Sequence, residues 1–312
     1  MSTPLVRTAP FLAFLALCVA CDATGAAPQH TAFDADRAWK HLEAQVGFGP
    51  RPTGSEALEA TRLYLEGHLR AAGLEPKREV FDCPEAPYGA IRVTNVLVDI
   101  VAPDADAAKL PIVVLATHYD TKKMGFPFVG ANDGGSSTAV ALELARVLAE
   151  HPSRRVVWRV LFLDGEEALR PHWEDPDNRY GSRHHVKALV ERGEAKRVKA
   201  CVLLDMVGDA NLVLTRDSYS DPRLQQIVTE TADELGLQKH LGRTPELIKD
   251  DHLSFLAEGI PSIDLIDFQY GPTNSFWHTR DDTLANCSKE SLGAIGKLVL
   301  GAVPAFEALA TR

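Results

Sequence analysis

The chain has 312 residues, 45% hydrophobic and 24% charged, which is enough apolar material for one domain with a sizeable core. Its formal net charge is -10 and no cationic stripe is visible, which excludes a nucleic-acid backbone as partner.

Residues 1–25 read as an export signal: Arg7 supplies a cation, Phe11 to Ala20 an apolar stretch, and small residues follow. The stretch is shorter than the roughly 20 apolar residues that span a bilayer. Leu17-Cys18-Val19-Ala20-Cys21 is similar to a lipoprotein box with Cys21 as the lipidated residue. The expected location is therefore periplasmic, anchored to a membrane through Cys21, or secreted after cleavage near Ala26. Residues 26–33 read as a tether and 34–312 as one catalytic domain, expected to be a monomer. Of the five cysteines, Cys83, Cys201 and Cys287 follow the leader at spacings that fit neither a zinc cluster nor a disulfide framework, so buried thiols are expected.

From Asp34, the residues Ala38, Leu42 and Val46 share one helical face until Gly49-Pro50-Arg51-Pro52 breaks it, and Ser55 opens a second helix to about Ala72. The Val- and Ile-rich Ile91–Val101 and the wholly apolar Pro111–Ala116 follow as strands, the second of a kind buried on both faces. Helices are expected over 139–150, 180–192, 222–235 and 289–309, and strands over 156–163, 200–204 and 262–266. This alternation predicts a three-layer α/β/α sandwich around a mostly parallel, mixed sheet.

In such sheets ligands bind beyond the carboxyl ends of the strands. Strand 112–117 ends in His118-Tyr119-Asp120, strand 156–163 in Asp164-Gly165-Glu166-Glu167, and strand 200–204 in Asp205. Asp120, two residues from His118, can orient the imidazole. Asp133 follows in a Gly-rich turn, and His278 stands beside Trp277 in a late loop. Adjacent Glu166 and Glu167 repel unless a cation or a shared proton relieves them. Their side chains diverge, so one can bind metal while the other acts as a general base. Together these are oxygen and nitrogen donors suited to zinc.

The order H-x-D, Asp, Glu-Glu, Asp and terminal His over residues 40–310 resembles the M28 metallopeptidase clan, with its zinc-exopeptidase-like fold. Within it, Asp164–Ala168 with Trp173 soon after, Tyr180–His184, Leu204–Gly208, Asp250-Asp251-His252 and Trp277-His278-Thr279 resemble the animal-type glutaminyl-peptide cyclotransferases. The resemblance implies Asp133, Glu167 and His278 as ligands of one zinc. It also implies Glu166 as proton shuttle, Asp250 and Asp205 as its hydrogen-bonded partners, and Trp173 and Trp277 as pocket walls. The implied substrates are peptide or protein N-termini, whose glutamine is converted to pyroglutamate. Gly134–Ser137 is closer to the aminopeptidases of the clan, and Thr273 stands where a pocket aromatic is usual. Thr117 and Thr138 stand where the cyclotransferases carry a paired disulfide. A metalloaminopeptidase stays open as the alternative, with His118 and Asp205 completing a second metal site bridged by Asp133.

Overall fold

The computed structural model describes residues 1–2 and 32–312. Residues 3–25 of the export segment, Cys21 among them, and tether residues 26–31 lie outside the described residues.

The first two helices begin where side chains can satisfy their free amides. Asp34 caps α1 (Ala35–Gly47) by accepting from the N–H groups of Asp36 and Arg37, and Ser55 caps α2 (Glu56–Ala71) by accepting from Leu58. Next come β1 (Lys77–Cys83), β2 (Ile91–Ile100), β3 (Ile112–His118) and α3 (Ser137–Glu150). They are followed by β4 (Val157–Leu163), α4 (Tyr180–Glu191), β5 (Val198–Asp205) and β6 (Leu214–Asp217). Helix α5 (Pro222–Leu235) has Asp221 as cap, Pro222 in its first turn and Gly236 at φ 68° past its end. The chain closes with β7 (Leu241–Glu246), α6 (His252–Ala257), β8 (Ser262–Ile266) and α7 (Lys289–Ala310).

The main sheet has six strands in the order β1-β2-β4-β3-β5-β8. Strands β4, β3, β5 and β8 run parallel, whereas β1 and β2 add antiparallel pairings at one side. Every residue of β3 and β4 is buried, as their largely apolar runs require, and Arg159 within β4 is paired with Asp99 at 2.7 Å. One face packs on α1, α2, α3, α5 and α7 through Leu42, Leu65, Leu144, Leu224 and Leu298. The other packs on α4 and α6 through Val186, Leu189 and Phe255. The expected three-layer sandwich is therefore present.

Four elements lie outside the expectations. Strand β1 is a charged edge strand with its residues exposed or half-buried, so it lacks the apolar run that marks a central strand. Strands β6 and β7 form a separate two-stranded parallel sheet, and α6 spans only six residues. Among the three cysteines of the domain, Cys201 and Cys287 are buried, Cys83 is half-buried, and all are free.

Candidate metal centre and active site

The site forms where β3, β4, β5 and β8 deliver their carboxyl ends. His118 ends β3 and is 1% exposed. Asp133 is brought beside it by Gly134, at φ 76°, where a Cβ would lie 2.5 Å from the Asp120 carbonyl and 3.0 Å from His118 Cε1. Only glycine permits that approach.

Asp120 spends both carboxylate oxygens on the next strand end, accepting from the N–H of Glu166 at 3.2 Å and of Glu167 at 3.3 Å. Its distance to His118 Nδ1 is 3.5 Å. The orienting role expected for Asp120 thus falls chiefly on the Glu166-Glu167 pair. Thr117 and Thr138, which stand where the resembled cyclotransferases carry a paired disulfide, both donate a hydroxyl to the His118 carbonyl, at 3.2 and 2.7 Å.

Asp133 stands between two imidazoles. Its Oδ1 lies 3.4 Å from His118 Nε2 and its Oδ2 lies 3.2 Å from His278 Nε2. His278 Nε2 also lies 3.1 Å from Glu167 Oε1, and His118 Nε2 lies 3.0 Å from Asp205 Oδ1. Two donor triads result, Asp133 with Glu167 and His278, and Asp133 with His118 and Asp205.

The first triad fits a tetrahedral zinc in donor type and spacing. Ligands at about 2.0–2.1 Å from the ion stand about 3.3 Å apart. The Glu167 Oε2 atom is buried without a hydrogen-bond partner, and Lys122 Nζ is 3.6 Å from it. Burial disfavours the His278 imidazolium, yet the Glu167 and Asp133 carboxylates raise its pKa to about 10. Burial likewise raises the Asp133 carboxyl, but hydrogen bonds from His118 and His278 bring it below the ordinary carboxylate range. The cluster thus favours positive charge at its centre, the kind of site a divalent metal would suit.

Glu166 is 8% exposed and accepts the Trp173 indole N–H on Oε1 at 3.0 Å. Burial lifts its carboxyl well above the ordinary range, the charges of Glu167 and Asp250 add to this, and His118 opposes it. The Asp250 carboxyl is also lifted, by burial first and then by Asp205 and Asp251. A cavity of about 250 Å³ joins these groups, walled by Trp173, Ile248, Phe268 and Trp277 with the acidic cluster at its base. Trp277 stacks on His278, with ring centroids 4.2 Å apart and planes 21° apart. Every site residue expected from the sequence lines this cavity except Asp120 and His118, the latter touching it through Asp133 and Asp205.

Two supporting residues escaped the sequence reading. Asp282, 1% exposed, accepts the N–H of Asn132 at 2.6 Å and of Asp133 at 3.1 Å, fixing the ligand turn. Arg51 is fully buried and donates to the carbonyls of Val129 at 2.7 Å and Gly130 at 3.1 Å. In the sequence the first is one acid in an Arg-Asp-Asp loop and the second a residue between two prolines, so neither carries a pattern.

Residues 95–303 match the model of peptidase family M28. A glutaminyl-peptide cyclotransferase-like protein of Bos taurus is 31% identical over 278 residues, covering 80% of this chain and 70% of that protein. The crystal structure of an Acidobacteriales bacterium glutaminyl cyclase superposes with a TM-score of 0.83 at 29% identity, covering 97% of this chain and 99% of that one. A Zn-dependent exopeptidase of Parabacteroides distasonis shares the fold, with a TM-score of 0.76 at 24% identity over 91% of this chain and 100% of that one. The strand-end donors, the Glu-Glu pair and the indole-walled cavity thus sit on a framework shared with these proteins, and the chain belongs to peptidase family M28, within its glutaminyl-peptide cyclotransferase group.

Proposed function

We propose that the chain is a zinc-dependent glutaminyl-peptide cyclotransferase that converts N-terminal glutamine to pyroglutamate. The observation that carries this reading is the small cavity in which Trp173 holds Glu166 beside the Asp133, Glu167 and His278 triad. A glutamine must fold back so that its amine comes within about 3 Å of its own γ-carbonyl carbon, and two indole walls favour such a compact shape.

A zinc held by Asp133, Glu167 and His278 would supply Lewis-acid polarisation of a carbonyl oxygen in the cavity. Glu166 takes the proton lost by the α-amine as that nitrogen bonds to the γ-carbonyl carbon. It then returns the proton to the side-chain amide nitrogen. The old carbon–nitrogen bond breaks, ammonia leaves, and no water is consumed. A carboxyl lifted by burial is suited to both halves of this transfer, because acid–base groups work best with a pKa near the working pH. Burial first, then the Glu167 charge and the neighbouring Asp250, raise the Glu166 carboxyl and so favour its protonated state between the two steps, whereas Asp205 pairs with His118.

A second reading rests on the other donor triad. His118, Asp133 and Asp205 could hold a second metal with Asp133 as bridge, the arrangement of an aminopeptidase that cleaves with a metal-activated water. A side-by-side assay separates the two: an N-terminal glutaminyl peptide and an aminoacyl substrate, each with and without chelator. Faster release of N-terminal leucine than formation of pyroglutamate would overturn the cyclotransferase reading.

The export reading belongs to the same proposal. Arg7, the apolar stretch to Ala20 and the box ending in Cys21 support an enzyme that works outside the cytoplasm, anchored through Cys21 or released, as a monomer acting on peptide N-termini. Labelling with a radioactive fatty acid that is lost in Cys21→Ser would support the anchor.

A further inference from the structure

Asp250 faces Glu166 from the segment 247–250, which lacks regular secondary structure. All four of its residues border the cavity, Ile248 and Asp250 buried at 4% exposure and Leu247, 68% exposed, and Lys249 at its exposed rim. The outer side of this segment therefore has little packing to hold it. Among the described residues the Asp250 side chain accepts one hydrogen bond, a local one from the N–H of Asp251, so its place depends on how the backbone on either side is anchored.

One carboxylate reaches both sides. Asp217, at the end of β6, is 1% exposed and is not among the cavity-lining residues. Its Oδ1 accepts the N–H of Ile248 at 3.2 Å, two residues before Asp250. Its Oδ2 lies 3.2 Å from Nε2 of His252, two residues after Asp250. His252 is fully buried, and its other ring nitrogen lies 3.6 Å from Asp264 Oδ2. Asp217 is itself fixed, accepting from the N–H of Tyr219 at 3.1 Å and the hydroxyl of Ser220 at 2.7 Å. The small β6–β7 sheet thus acts as a bracket outside the main sheet.

We propose that Asp217 is a positioning residue for cyclisation: by gripping the chain on both sides of Asp250, it sets where that carboxyl stands relative to Glu166. The inference rests on the cyclotransferase reading. Displacing a catalytic group by about 1 Å from a remote position can cost about 10²-fold in rate. A residue acting only through Asp250 has nothing left to lose once Asp250 is gone.

The test is a double-mutant cycle on the zinc-loaded full chain with an N-terminal glutaminyl peptide, comparing the parent, Asp217→Ala, Asp250→Ala and the double variant. Zinc content and thermal midpoint are measured alongside. Asp217→Ala should lower kcat about 10- to 100-fold, with KM within about threefold and zinc per chain unchanged. The double variant should be no slower than Asp250→Ala, and Asp217→Asn, which keeps one acceptor oxygen, should recover part of the loss. Multiplied losses in the double variant, or loss of zinc from Asp217→Ala, would overturn the inference. If Asp217→Ala does not fold, Asp217→Asn and His252→Gln enter the same cycle under the same criteria. A parent that makes no pyroglutamate overturns the reading of the reaction together with this inference. A parent that cyclises while the losses multiply overturns only the role of Asp217.

Discussion

The Trp173 indole N–H donates to Glu166 Oε1 at 3.0 Å, so the aromatic that walls the cavity also holds the carboxyl that moves the proton. The two functions separate in Trp173→Phe, which keeps most of the wall and removes the donor. A hydrogen bond to a charged group is worth about 1.5–3 kcal/mol, which corresponds to about 10- to 150-fold in rate if it is needed at the transition state. The expected result is a fall in kcat of about tenfold or more with KM nearly unchanged, read by steady-state kinetics on a glutaminyl peptide. A rise confined to KM would show that Trp173 acts as a wall alone.

Glu166→Gln keeps the shape of the side chain and cannot carry a proton. Acid–base groups contribute about 10²- to 10⁴-fold in rate, so activity should fall by that factor while zinc content and folding stay as in the parent. Activity within a few-fold of the parent would place the proton on another group.

Metal analysis of protein purified without added zinc should give one zinc per chain, lost on dialysis against chelator. Because a metal that binds only the folded chain stabilises it by mass action, the thermal midpoint should fall with the metal. His118→Ala should keep that zinc. Two zincs per chain, one of them lost in His118→Ala, would favour the aminopeptidase arrangement.

The parts of the molecule that were legible in the sequence are those with short-range patterns. Strands β3 and β4 are buried on both faces, so they are largely apolar, with Arg159 paired with Asp99, and the polar residues that end them, His118 and the Glu166-Glu167 pair, stood out against them. Strand β1 carries Lys77, Arg78, Glu79 and Asp82 at a sheet edge, and nothing local distinguishes it from a loop. The supporting residues were hidden for a different reason. Asp282 binds backbone amides about 150 positions away, and Asp217 reaches His252 across the whole of α5 and β7. Such pairings are made by the tertiary fold, and no spacing in the sequence records them.

Asp282 gives a test of how far the ligand turn depends on that distant support. Burial lifts its carboxyl to about 7, with the Asp133 charge adding to the effect, while the N–H groups of Asn132 and Asp133 pull it down. In Asp282→Ala both amides lose their acceptor inside the protein, which costs about 1–3 kcal/mol each when left unsatisfied. Partners that orient metal ligands typically change metal affinity by about 10- to 100-fold. Asp282→Ala should therefore bind zinc about 10- to 100-fold more weakly in a competition with a chromophoric chelator, and melt at a lower temperature. Unchanged zinc affinity would mean that Asp133 is held in place by other contacts.

Gly134 offers the sharpest steric test, because its neighbours are the site itself. Its φ of 76° lies in the left-handed region, and an added Cβ would fall 2.5 Å from the carbonyl oxygen of Asp120 and 3.0 Å from His118 Cε1. The backbone at Asp120 cannot retreat freely, since its side chain holds the amides of Glu166 and Glu167. One methyl group therefore presses on the turn that carries Asp133, on His118, and on the residue that anchors the Glu-Glu pair. Strain of this kind costs about 1–3 kcal/mol where a non-glycine residue is forced into a sparsely populated conformation. Gly134→Ala should lower the thermal midpoint, weaken zinc binding and reduce kcat by about tenfold or more. Gly125→Ala is the control, because a Cβ there meets nothing within 4 Å. It should change stability by no more than about 0.5 kcal/mol and leave activity alone. If Gly134→Ala matched Gly125→Ala in zinc affinity and kcat, the close approach of the Asp133 turn to His118 would not be what assembles the site.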